Sequence, residues 1–336
     1  MRIGQNPENN KKIVSEDVYH HIIVPVYVPR LDDYFKDSYK ITRLCIGSIN
    51  ATRHYKSKLT IVNNGSCDEI TSYLNGLYAS GFIDQLIHHK TNKGKIDAVI
   101  PVAKQATEAL ITITDGDVLF KPGWMDAVER VYVNFPKAGM VSPVPHGTLY
   151  NHFTAHTLYD AFFRGLLKFQ KLCDPEAMLL FAKSIDKETT MYAKSIRLQY
   201  QLTLRKKNAN AIVGCGHFVA TLRKEVFKKT PKVMSHWAYS SSADRDYIDI
   251  PNEKSGFWRL ATPENYAYHM GNIHEEWMDE VTYKPEQKQV LHIIPKAQHN
   301  FIPYFVKKVF VRILMSRYVK PWYFKKLGLV EGYKEY

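Results

Sequence analysis

The sequence predicts an α/β protein built on a mostly parallel central sheet flanked by helices, and three observations carry that prediction. Short apolar runs alternate with stretches of helical periodicity at about 30-residue spacing, four times over, the pattern of consecutive βαβ units. The runs are continuously apolar, as befits strands covered on both faces. Polar turns follow the later runs: Asn63–Ser66, Asn92–Lys95 and Asp115–Asp117. Ligands bind beyond the carboxyl ends of such strands, so these turns are where chemistry is expected.

The elements follow in order. His21–Val28 (HIIVPVYV) reads as the first strand. Residues 32–57 read as helical, with Ile41, Leu44, Cys45 and Ile49 on one stripe. Leu59–Val62 is a second strand, Asp68–Ala79 a helix, Ile83–His88 a third strand and Ile96–Glu108 a helix. Leu110–Thr114 is a fourth strand, ending at Asp115-Gly116-Asp117. Beyond Pro122 the pattern loosens. Trp124–Asn134 reads as helix, Gly139–Ser142 as strand, and residues 150–210 as mostly helical and rich in aromatic and basic side chains. Ala211–Leu222 reads as one apolar strand, and Lys224–Lys228 as the start of a helix.

Composition narrows the class. The 336 residues are 45% hydrophobic and 24% charged, ordinary for a globular protein of about two domains. No run reaches the ~18 apolar residues of a membrane span, and the polar start MRIGQNPENNKK lacks a signal-peptide core. Cys45, Cys67, Cys173 and Cys215 are scattered, which suggests neither a zinc site nor a disulfide framework. A cytoplasmic protein, possible at the inner face of a membrane, is expected. The net charge is +13, and residues 285–336 hold ten Lys/Arg against three Asp/Glu, pointing to an acidic partner.

Side chains at i and i+2 of an extended segment point the same way, so Asp115 and Asp117 aim together at a strand end. Paired carboxylates suit Mg²⁺ or Mn²⁺, which could bridge a diphosphate; a plain Asp-Gly hairpin is the bland alternative. Asn63–Ser66 could offer amides to a nucleotide or simply form a strand-to-helix loop. Lys93 and Lys95 could neutralise phosphate or be a solvated basic loop. Asp244 and Asp246, after a Ser-rich loop, suit a general base or an acidic helix start. His269 could ligate a metal or be an ordinary core residue; His274, five residues on, matches no helical zinc pair.

Taken together, the segments resemble the GT-A fold glycosyltransferases, whose core is Rossmann-like, most closely the inverting family 2. His21–Tyr27 is similar to the family's first nucleotide-binding strand, Ile61–Asp68 (IVNNGSCD) to its VDNGSxD turn, and Asn92–Ala98 (NKGKIDA) to its NxGxxxA segment. Leu110–Trp124 resembles its DxD strand and the helix start after it. Gly214–Phe227 and Ala243–Tyr247 resemble the glycine-rich strand and ED loop of the acceptor side. The likeness spans about residues 20–275. In departure from the pattern, Asn63 replaces the usual Asp, Ala243 replaces the acid before Asp244, and no Gln-x-x-Arg-Trp motif exists, which argues against a processive polysaccharide synthase.

The resemblance implies transfer of a sugar from a nucleoside-diphosphate sugar to a glycan or lipid-linked acceptor, with inversion and a divalent ion, Mn²⁺ or Mg²⁺. It places Pro25, Tyr27, Asn63, Lys95, Asp115 and Gly116 at the nucleotide-sugar, Asp117, Asp115 and His269 at the metal, and Asp244 as catalytic base. With the polar start and the basic tail read from composition, the chain is expected to divide into a polar segment 1–20, a donor half 21–145, an acceptor half 146–284 and a basic, aromatic, helical extension 285–336. In that extension Phe305, Val309 and Ile313 form one apolar row and Val306, Phe310 and Leu314 a second, with Lys307, Lys308 and Arg312 opposite. It reads either as a helix lying in an anionic membrane surface or as one packed on the domain. Two other functions are set against this. A sugar-nucleotide-forming nucleotidyltransferase needs a Gly-rich loop after the first strand, and Pro25–Arg30 has no Gly. A nucleic-acid-binding protein fits the charge, but no binding motif is present, and no nucleic acid partner is expected.

Overall fold

The computed structural model describes residues 3–11, 17–193, 196–238, 240–281, 290–299, 302–333 and 336. Parts of the expected segments 1–20 and 285–336, and Tyr239 of the Ser-rich loop, lie outside the described residues. Twelve strands are described: β1 His20–Val26, β2 Ser57–Asn64, β3 Gln85–His89, β4 Leu110–Thr114, β5 Val118–Phe120, β6 Ala138–Ser142, β7 Leu167–Lys171, β8 Tyr200–Lys206, β9 Ala209–Val213, β10 Val219–Arg223, β11 Trp258–Ala261 and β12 Ala267–His269. The longer helices before β8 are α1 Ser38–Thr52, α2 Asp68–Ala79, α3 Lys95–Gln105, α4 Trp124–Asn134, α5 Ala155–Phe163 and α6 Pro175–Ser184.

Ten strands form one sheet in the order β3-β2-β1-β4-β10-β6-β11-β9-β8-β7, and β12 pairs with β5 apart from it. Strands β3, β2, β1 and β4 are parallel, as the βαβ pattern requires. Strand β10 enters antiparallel between β4 and β6, and β9, β8 and β7 continue antiparallel. The chain runs outward from β1 to β3 and then returns to the other side of β1 as β4. That reversal opens a crevice at the carboxyl ends of β1 and β4. The β1–β4 ladder stops at Ile23–Ile113, so Pro25, which has no N–H to donate, falls beyond the last β4 partner.

Helices cover both faces. Helices α1, α2 and α4 pack with one set of β1 side chains (Ile22, Val24, Val26), and α3 with Ile23, Val62 and Ile113 on the other. Trp124 is fully buried and donates its indole N–H to Thr52 Oγ1 at 3.0 Å, tying α4 to α1. Burial of a side chain of this kind contributes roughly 1.5–3 kcal/mol.

Two expectations are corrected here. Residues 150–210 contain α5 and α6 but also β7 and β8, whose apolar residues alternate: Leu167 and Phe169 are buried on one strand and Leu202 and Leu204 on the next. Residues 211–222 form two strands rather than one. The chain breaks at Gly214, at φ +112°, where a Cβ would lie 2.8 Å from the Leu149 carbonyl carbon.

The end of the chain forms two helices, Tyr304–Leu314 and Val319–Lys326. The first packs on α5 through Lys307, Phe310, Val311 and Leu314. Lys307, expected on the solvated arc, is fully buried. Its ammonium lies 3.0 Å from both Asp160 Oδ1 and His156 Nδ1. Asp160 also pairs with Lys137 at 2.9 Å and accepts from the Trp258 indole at 3.0 Å, so one buried carboxylate serves two ammonium groups, and burial holds the Lys307 pKa below the ordinary lysine value. Phe324 and Tyr336 complete the packing against Phe169 and Tyr150.

Candidate active site

The crevice at the ends of β1 and β4 widens into a cavity of about 1030 Å³. This is at the upper end of the ~300–1,000 Å³ usual for ligand pockets. Pro25, Tyr27, Lys95, Asp115, Gly116, Asp117 and His269 all line it. Of the sequence-selected residues, Asn63 and Asp244 stand outside its walls.

The acidic pair occupies the corner between β4 and β5. The two strands do not pair with each other; β5 pairs with β12, so the tight-hairpin alternative does not describe this turn. The corner is pinned at both ends: Asp115 N–H donates to the Phe218 carbonyl and Met270 N–H to the Asp117 carbonyl, each at 2.8 Å. Gly116 is needed for close approach, since a Cβ there would come within 3.0 Å of the Pro25 carbonyl oxygen. The β5–β12 ladder sets His269 opposite Val118 and so carries the imidazole to the corner. His269 Nε2 lies 3.5 Å from Asp117 Oδ2. Its Nδ1 meets Ser184 Oγ at 2.9 Å, which fixes the ring, and Phe181 and Phe218 hold it edge-on.

One ligand atom each from Asp115, Asp117 and His269 lies within 4.8 Å of the others. Asp117 Oδ1 is buried without a hydrogen-bond partner. Two carboxylates and an imidazole make a donor set that suits a divalent ion such as Mn²⁺, and the orphaned oxygen is an acceptor with nothing to accept from.

Lys95 organises the other side. Its ammonium is 2.6 Å from Asp115 Oδ1 and 3.3 Å from Asp244 Oδ1, and donates to the His217 carbonyl at 3.3 Å. Burial alone would lower the Lys95 pKa, but the two carboxylates outweigh it and hold the ammonium above the ordinary lysine value. Burial raises Asp115 against the pull of Lys95, with Asp117 adding to the rise. Asp244 is buried behind Lys95, at the end of the short helix Ser241–Asp244. Asp246 is on the surface, in an ion pair with Arg245 at 2.8 Å.

Asn63 is buried within the turn. Its Nδ2 donates to Thr71 Oγ1 at 2.9 Å and its Oδ1 accepts from Ser66 N–H at 3.1 Å. The neighbouring Asn64 lines the cavity instead, together with Asn92, to which it donates at 2.9 Å. Successive strand residues face opposite ways, so only one of two adjacent asparagines can face the site. Register settles which one, and it is the signal that the linear reading lacked.

A second feature missed in the sequence is the loop 235–238. Asp97, on the first turn of α3, accepts from Ser235 N–H at 2.8 Å, Ser235 Oγ at 3.0 Å and His236 N–H at 2.9 Å. The loop lies against Gly94, where a Cβ would sit 2.0 Å from the Trp237 carbonyl oxygen. This brings Ala238 to the cavity wall.

The family model described as glycosyl transferase family 2 matches residues 22–230, and the chain belongs to that family. Its α/β sheet with flanking helices is the GT-A architecture. No curated protein matches the sequence at a significant level. Among solved structures the chain is similar to S. aureus TarS 1-349, at 11% identity and a TM-score of 0.44, over 75% of this chain and 60% of that one. It is similar also to the mannosyltransferase PcManGT from Pyrobaculum calidifontis, solved with GDP-Man and Mn²⁺, at 15% identity and a TM-score of 0.40, over 73% and 54%. The chain thus spans less than two thirds of either structure's length.

Proposed function

We propose that the protein transfers a sugar, with inversion, from a nucleoside-diphosphate sugar to a hydroxyl of a glycan or lipid-linked saccharide, with the help of Mn²⁺ or Mg²⁺. The observation that carries this reading is the convergence of Asp115, Asp117 and His269 on one corner of a cavity large enough for a nucleotide-sugar. These three residues would hold the ion, and the unpartnered Asp117 Oδ1 fits that role. Such an ion, when bound, stabilises negative charge on the departing diphosphate.

The chain's own residues supply the rest. Tyr27, on the cavity wall with Phe35 edge-on to it at 6.3 Å, offers an aromatic face to the base. Asn64 and Asn92 offer amides beside it. Lys95, kept charged by its two carboxylates, lies where it can turn toward a phosphate oxygen. As it does so it releases Asp244, whose Oδ1 is its ion-pair partner at 3.3 Å. Asp244 then accepts the proton of the acceptor hydroxyl as that oxygen attacks the anomeric carbon opposite the leaving diphosphate. Inversion follows from a single displacement of this kind.

The test is calorimetry of UDP and GDP with and without Mn²⁺, on the wild type and on Asp117→Ala. Metal-dependent binding is expected in the wild type and absent from the variant, with folding retained because the residue sits in a strand-end corner. Unchanged metal-dependent binding in Asp117→Ala would refute the assignment.

A further inference from the structure

The helix Tyr304–Leu314 is packed on one side only. At about 100° per residue, Lys307, Phe310, Val311 and Leu314 share the face that meets α5. Phe305, Val306, Val309 and Ile313 occupy an arc about 100° wide on the far side. Phe305 is 74% exposed and Ile313 59%, large values for such side chains in a folded chain. The patch continues along the chain to Tyr318 and Trp322, which are exposed at 74% and 62%.

Its border is cationic. No Asp or Glu occurs between Ile302 and Val330. Lys308, Arg312, Arg317, Lys325 and Lys326 are all exposed there. Lys326 stands over the Trp322 ring at 5.4 Å and Arg317 over Tyr318 at 4.7 Å, so charge and aromatic surface are interleaved. Among the described residues no helix is long and apolar enough to cross a membrane.

We propose that this face docks on an anionic lipid surface, with the helix lying in the plane of the headgroups. Three observations select that occupant. The apolar arc presents only aliphatic and aromatic carbon, which a nucleic acid held by its phosphates at the cationic border would leave facing water, so nucleic acid satisfies only half of the face. A second copy meeting it about a two-fold axis would bring five cations against five cations. An anionic bilayer takes both parts at once: acyl boundary for the arc, headgroup charge for its rim, and the headgroup layer for Tyr318 and Trp322. The packed side explains why the helix can expose this face without loss of the fold, since Lys307 and Leu314 anchor it independently. The inference does not depend on the sugar-transfer reading.

The experiment uses the full chain with vesicles of phosphatidylcholine, with and without phosphatidylglycerol, in sedimentation at low and high salt. The wild type is expected to bind the anionic vesicles at low salt and to release at high salt. The double variant Lys325→Gln/Lys326→Gln should bind about 30-fold more weakly, from roughly fivefold per basic residue near a charged surface. The double variant Phe305→Ser/Ile313→Ser should lose at least about tenfold through the apolar contribution. All four side chains are exposed, so melting temperature and donor-nucleotide binding should stay at wild-type values, which separates lost docking from lost folding. The proposal is overturned if the wild type ignores anionic vesicles at low salt, or if the Phe305→Ser/Ile313→Ser variant binds them as the wild type does. It is equally overturned if the wild type ignores vesicles but retains RNA, or forms a dimer that those two substitutions abolish.

Discussion

Replacing Lys95 with Met tests the electrostatic design of the site, because one ammonium balances two carboxylates. At an effective dielectric of 20, contacts of 2.6 Å and 3.3 Å correspond to gross attractions of about 6 and about 5 kcal/mol. Desolvation of the ammonium and repulsion between the carboxylates cancel much of this. Removing one partner of such a buried group typically costs ~3–5 kcal/mol. The 336 residues imply an unfolding entropy of about 0.7 kcal/mol per degree, so the expected fall in melting temperature is about 4–7 °C. Mn²⁺ should raise the melting temperature of Lys95→Met more than that of the wild type. In the wild type the ion competes with Lys95 for Asp115, whereas in the variant it fills a charge deficit, and binding to the native state stabilises it by mass action. Melting followed by tryptophan fluorescence, with and without Mn²⁺, reads both effects. A variant that melts within about a degree of the wild type without metal would refute the charge-balance argument, given the per-degree entropy above. So would equal Mn²⁺ stabilisation of the two proteins.

Asp244→Asn keeps shape but removes the proton acceptor, so turnover should fall by about 10²–10⁴ with donor-nucleotide binding intact; wild-type turnover in this variant and collapse in Asp246→Asn would move the role. Glu253, buried with Oε1 accepting from Ala155 N–H at 3.1 Å, has its carboxyl pushed up to about 7 by burial, partly offset by that N–H. A carboxyl raised in the folded state leaves stability whole below its ordinary value near 4.5 and erodes it as pH climbs through 7. Glu253→Gln should therefore melt like the wild type near pH 5 and up to ~3 kcal/mol more stably above pH 8, and parallel curves across that range would contradict the assignment.

What the sequence made legible, and what it hid, follows from the range of the interactions involved. The parallel strands were readable because each βαβ unit is closed by local signals: an apolar run, a polar turn, an amphipathic helix. Leu110–Thr114 and Asp68–Ala79 have the boundaries that the pattern predicts. The Asp115–Asp117 pair was readable for the same reason, since two residues apart is a local relation, although the chain turns at Gly116–Asp117 rather than running extended as i, i+2 alternation would require. The strands β7 and β8 were not, because their alternation is short and lies among helix-forming residues, and only the pairing of Leu167 with Leu204 and Phe169 with Leu202 makes strands of them. Asn63 and Asn64 differ only in which way β2 faces, and register against β3, with Asn63 opposite His88, decides that. Lys307 is the sharpest case. The linear reading groups it with Lys308 and Arg312, yet at about 100° per residue it shares a face with Phe310, Val311 and Leu314, and Asp160 on α5, 147 residues earlier, receives its charge there. That inversion changes what the tail can do. With Lys307 and Leu314 turned to the domain, the arc left outside is the more apolar one, so the packed-helix reading describes one side of this helix and the proposed lipid-docking face is its other side.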